Sequence, residues 1–145
     1  MNKHRKLVFL ESEFIQSEYI LSDADVRDKI STFLFDYVMV EAFYKRLLIA
    51  EREYNGISLS DSEKKRLSVR ANDVERVLQY FEVDYNPELI TRIFGSSDSN
   101  YMDCSIKKLR DRMVHKVNDN VLRAILERYD DIERDLCTFR DLFIK

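Results

Sequence analysis

Two glycines, Gly56 and Gly95, and a single proline, Pro87, punctuate a chain of 145 residues. A β-sandwich needs a turn about every 8–12 residues, and nucleotide-binding α/β domains need glycine-rich phosphate loops. Three breakers this far apart supply neither, so the chain is read as all-α.

Capping signals divide it. "SDAD" (Ser22 to Asp25) reads as an N-cap with an acid three residues on. The helix it opens runs to about Tyr54 and stops at Asn55-Gly56. Phe33, Tyr37, Val40, Tyr44 and Leu47 recur three and four apart along it, and Leu34, Val38 and Leu48 widen the stripe, as expected for a central helix. "SDSE" (Ser60 to Glu63) is a second capping box, and Leu67, Ala71, Val74, Leu78 and Phe81 predict a helix reaching Glu82. Asn86, Pro87 and Gly95 bracket a short helix over 87–94. After a polar loop at 96–100 comes a helix carrying residues 107–116. A last helix starts at 118–120, with Leu122, Ile125, Tyr129, Ile132, Leu136, Phe139 and Phe143 as its seam, suited to a bundle core or a dimer contact. Residues 1–22 mix alternation with helical spacing and form an N-terminal extension. The expected architecture is an up-and-down bundle of roughly four to six helices in one domain over 1–145.

No stretch approaches the ~18 uninterrupted apolar residues of a membrane span. The apolar run Leu7 to Leu10 is too short for a signal-peptide core. A cytoplasmic protein with no membrane partner is expected. His4, Cys104, His115 and Cys137 lack metal-ligand spacing, so neither metal nor cofactor nor disulfide is called for. The aromatic residues fall on helical stripes and are read as core.

Charge is where the chain departs from a plain bundle. Its formal net charge is −3, yet Lys107, Lys108, Arg110, Arg112 and Lys116 stand against the single acid Asp111 in "KKLRDRMVHK". Such a patch gives a polyphosphate chain a landing place. Within it, Ile106, Leu109, Met113 and Val117 define the buried face of a helix, which turns His115 outward. Arg110 and His115 lie about 140° apart around an ideal helix. Two routes could converge them: the helix unwinds before Asn118-Asp119-Asn120, or two protomers each supply part of a site across a two-fold axis.

"RDRMVH" resembles the signature of the HEPN superfamily (higher eukaryotes and prokaryotes nucleotide-binding): an arginine, a polar follower, and a histidine after four to six intervening residues. Arg110, Asp111 and His115 occupy those places, with Leu109 before, Met113-Val114 ahead of the histidine, and a long helix after. The likeness extends from about residue 23 to the C-terminus. It implies a helical bundle whose homodimer sets two motifs face to face. Many such proteins are metal-independent endoribonucleases that act as toxins, abortive-infection proteins or CRISPR-associated effectors, some under an antitoxin or regulatory protein. Others bind RNA, a nucleotide or a protein partner without catalysis. One subgroup, paired with a nucleotidyltransferase antitoxin, has tyrosine two positions after the histidine; Val117 stands there in this chain. Transferred to these residues, a neutral His115 would move the proton, Arg110 would hold the scissile phosphate, and Asp111 would orient either one. Lys107, Lys108, Arg112 and Lys116 would position the RNA backbone. Glu41, set in an apolar run, is a further acid that could support the site.

Overall fold

The computed structural model describes residues 2–96 and 100–143, and every regular element among them is a helix. In order these are α1 (Lys3–Leu21), α2 (Ala24–Tyr54), α3 (Asp61–Lys65), α4 (Ala71–Tyr80), α5 (Pro87–Phe94), α6 (Ile106–His115), α7 (Asp119–Glu127) and α8 (Tyr129–Asp141). The all-α reading holds, and the eight segments exceed the expected four to six.

Most boundaries lie where side chains satisfy orphaned backbone groups. Asn2 caps α1, and its Oδ1 accepts from the Arg5 amide at 2.9 Å. The cap of α2 is Asp23, one residue later than expected; Ser22 instead closes α1 on the Tyr19 carbonyl. α2 ends at Asn55, and Gly56 follows at φ +79°, a left-handed turn in which its lack of a side chain matters. The Ser60–Glu63 capping box forms in both directions. Asn86 and Pro87 start α5 as expected. Gly95 ends it for a packing reason, since a Cβ there would lie 2.6 Å from the Thr91 carbonyl oxygen. Of the expected polar loop, residues 97–99 fall outside the described residues.

Two expected helices are broken, and tertiary contacts explain both. The helix over 60–82 opens between Lys65 and Ala71, letting Val69 enter the core and offer its carbonyl to the Lys107 ammonium. The last helix bends at Arg128, whose guanidinium reaches the Tyr101 carbonyl at 2.8 Å. Backbone bonds from Arg128 to Ala124 and from Ile132 to Arg128 run through the bend, so the seam turns without being lost.

α2 is the central helix, touching α1, α4, α6, α7 and α8. Ile30, Phe33, Tyr37, Val40, Tyr44 and Leu48 are buried along it. The seam of α7 and α8 faces this same core through Leu122, Ile125, Ile132, Leu136 and Phe139, so it serves the bundle rather than a partner. The expected stripe was too wide at one point, because Val38 is exposed. Nor are all aromatic residues core: Phe9, Phe14, Tyr19, Phe35 and Tyr54 stand on the surface. No helix among the described residues is long and apolar enough to cross a membrane.

Candidate functional site

α6 begins at Ser105, whose hydroxyl accepts from the Lys108 amide. Ile106 and Leu109 are buried, and Met113 and Val117 pack at the edge of the core, which is the expected inner face. Seating that face turns Arg110 toward α2. Its Nη2 lies 3.0 Å from Oε2 of Glu41 and 3.3 Å from Oδ1 of Asp111. Lys45 Nζ holds the other Glu41 oxygen at 3.1 Å. The guanidinium carbon sits 5.1 Å from the centre of the Tyr37 ring, within cation–π range. Tyr37, Glu41 and Lys45 are four apart on α2, so one helical stripe supplies ring, acid and cation together.

The node is half-enclosed, with side chains 23% exposed at Arg110 and 17% at Glu41. Burial penalises both charges, yet the groups around them keep each ionised. For Arg110, Glu41 and Asp111 outweigh burial and raise its pKa above the ordinary value. For Glu41, the burial penalty is overcome by Tyr37, Lys45 and Arg110, and its carboxyl falls below the usual range. Burial, then the adjoining carboxylate, pushes the Tyr37 phenol far upward, so it stays protonated. Its hydroxyl lies near enough to Glu41 for that influence, but no hydrogen bond forms at proper geometry. The hydroxyl and Arg110 Nε are both buried without a partner. The site therefore has unused hydrogen-bonding capacity beside a fixed positive charge.

The remaining cations spread around α6. Lys107 is spent on the Val69 carbonyl. Lys108, Arg70, Lys107 and Asp111 line a cleft of about 690 Å³ against the start of α4. Arg112 lies over the Tyr101 ring at 4.8 Å, and Lys116 is exposed. Asp111, itself partly exposed, bonds to Arg110. His115 is exposed at the last turn of α6. The helix remains intact through it, with the Lys116 amide on the Arg112 carbonyl at 2.8 Å, so unwinding does not swing it back. Arg110, Asp111 and Glu41 are thus brought together, and His115 is held on another face. His115 shares its face with Lys108, Asp111 and Arg112, at the seven-, four- and three-residue spacings that align side chains on a helix.

Sequence reading passed over three of these residues. Tyr37 was taken as plain core, and Lys45 and Arg70 were not assigned to the site. The signal for the first two was the four-residue ladder through Glu41; Arg70 stood out only in a smaller basic group with Lys64, Lys65 and Arg66, read as a solvated face. Among the described residues, no group of three or more His, Cys, Asp or Glu side chains is arranged to hold a metal ion. Comparison with protein-family models, curated proteins and solved structures returns no match.

Proposed function

We infer that this chain is a metal-independent endoribonuclease of toxin or defence type, with a site completed across a homodimer. The observation that carries this reading is the Arg110 node: a permanently charged guanidinium, half-enclosed, aimed by Glu41, and left with an unpaired Nε. A phosphate would compete best with Asp111, the more exposed of its two acids and the more distant. Glu41 would keep the guanidinium in place while Asp111 yields.

The reaction needs a second group. The RNA 2′-hydroxyl attacks the adjacent phosphorus and loses its proton to a neutral imidazole. The P–O5′ bond breaks, and a proton returned to the 5′-oxygen leaves a 2′,3′-cyclic phosphate and a 5′-hydroxyl. Proton transfer of this kind contributes about 10²–10⁴ in rate, and a donor to the phosphoryl oxygens about 10²–10³. His115 is the only described histidine in this part of the chain, since His4 lies in α1. It faces about 140° away from Arg110 on an intact helix. One phosphate is therefore best served by Arg110 of one protomer and His115 of its partner. Lys107, Lys108, Arg112 and Lys116 would contact the RNA backbone around it, with Lys116 exposed and Lys107 partly committed to Val69.

A non-catalytic module that binds RNA, a nucleotide or a protein partner is the second reading. It is favoured by the ion pairing that already occupies Arg110 Nη2. Incubating the full chain with RNA in EDTA, beside Arg110→Ala and His115→Ala, decides between them. Cleavage that survives EDTA and disappears in both variants is expected. RNA binding with no cleavage in the wild type would establish the second reading instead.

A further inference from the structure

α1 is half docked. Ser17 is buried, Ile20 and Leu21 pack on the core, and Gln16 Nε2 reaches Oδ2 of Asp119 at 3.4 Å. Every residue from Asn2 to Ser12 is exposed. The first turns of the helix therefore project past the start of α7, at the corner where α6 hands over to α7, four residues beyond His115.

The projecting part is apolar in a helical pattern. Val8, Phe9 and Ile15 are exposed on its other faces, but Leu7, Leu10, Phe14, Ser17 and Leu21 follow one another three and four apart, the one row that continues onto the bundle. The chain's own bundle covers its lower end, Ser17 and Leu21. Its upper end stands in water, with Leu7 54%, Leu10 46% and Phe14 63% exposed. A seam built to pack on helices thus continues beyond the helices this chain supplies.

We propose that the upper seam is covered by α1 of a second copy, paired antiparallel. Charge selects both occupant and direction. α1 opens with Lys3, His4, Arg5 and Lys6 and continues with Glu11, Glu13 and Glu18. The helix is therefore complementary to itself when reversed. Lys6 and Glu13 flank the seam on one side, seven residues apart, and a two-fold axis opposes that flank to its own copy, lysine to glutamate. Parallel pairing would match Lys6 with Glu11. It would also set Glu13 against Glu18 and lay two basic starts side by side.

The pairing deepens the ribonuclease reading by naming the surface that brings a partner to the His115 corner, but it stands on α1 alone. Its test is the mass of the full chain by sedimentation, without RNA. A dimer at micromolar concentration is expected, and Leu10→Glu gives a monomer of unchanged helical circular dichroism, since Leu10 touches little in the single chain. Lys6→Glu weakens the dimer about tenfold through two symmetry-related contacts. In a Cys137→Ser background, Lys3→Cys fails to cross-link to itself on oxidation. A monomeric wild type, a dimer indifferent to Leu10→Glu, or rapid Lys3→Cys self-cross-linking would each overturn the antiparallel pair. The two ideas fail separately: a dimer that cuts no RNA counts against the ribonuclease, and cleavage by a strict monomer counts against the pairing.

Discussion

Two of the arginines that meet acids across helices, Arg92 and Arg110, do so differently. Arg92 on α5 clasps Asp135 on α8 with both arms of its fork, Nε to Oδ2 at 3.0 Å and Nη2 to Oδ1 at 3.1 Å. Asp135 is only 8% exposed and has both oxygens filled. Arg110 on α6 spends one nitrogen on two carboxylates and leaves Nε enclosed and unpaired. A bidentate fork locks geometry and leaves nothing over. A split, under-used guanidinium can accept another anion without first losing its anchor. The first pair fastens α5 to α8; the second joins α6 to α2 and, on the proposed reading, would also hold a charge for the RNA.

That distinction breaks if the two sites respond alike to truncation. Arg110→Ala should lower RNA cleavage by about 10²–10³, while costing only about 1 kcal/mol in urea denaturation, because Lys45 remains to hold Glu41. Loss of stability without loss of cleavage would make Arg110 a fastener too.

Arg92→Ala should do the reverse. No other cation lies within ion-pair distance of Asp135 among the described residues. Removing Arg92 strands a buried carboxylate, at a cost of about 3 kcal/mol. Chemical denaturation should show the midpoint falling, with the cleavage rate per folded molecule unchanged. Neutralising the stranded acid through Asp135→Asn in the same chain should recover part of the loss.

How far the sequence disclosed these two sites follows from the range of the forces involved. Helices declare themselves locally, and the caps at Ser60, Asn86 and Gly95 were legible because cap and capped amide lie within four residues. The outward turn of His115 was legible from helical phase alone. Arg92 and Asp135 lie 43 residues apart with no pattern joining them, and their pairing could not be read. Arg110 was found through motif resemblance, and Glu41 was noticed only as an acid in apolar company. Their contact, 69 residues apart, needed the fold. The breaks at 66–70 and Arg128 escaped for the same reason, since distant partners outweigh local propensity there: the Lys107 ammonium for Val69 and the Tyr101 carbonyl for Arg128.

A finer cut removes the anchor and keeps the arginine. Glu41→Gln leaves the shape of the node but deletes the charge that aims Arg110. Cleavage should fall about tenfold, mostly in kcat, as expected for a positioning residue whose loss misplaces a donor. A change confined to KM would mean that Glu41 modulates RNA binding and leaves the aim of Arg110 unaffected.

The comparison sharpens furthest at an acid that has no cation within ion-pair distance among the described residues. Glu133 on α8 faces Asp36 on α2, and one of its oxygens is buried without a partner. Burial, then hydrogen bonding and repulsion from Asp36, pushes the Glu133 carboxyl up from 4.5 to about 8. A folded-state pKa above the unfolded one means that the native chain binds the extra proton, so stability falls as pH rises between about 4.5 and 8 and levels off above. Solvent screening at this half-buried position limits the change to about 1 kcal/mol. Glu133→Gln cannot ionise, so its stability should stay flat over that window and exceed the wild type at pH 8, converging with it near pH 4.5. Thermal denaturation across the window reads the slope directly. An unchanged slope in Glu133→Gln would show that the acid pair is solvated well enough to do without the cation that Asp135 and Glu41 each require.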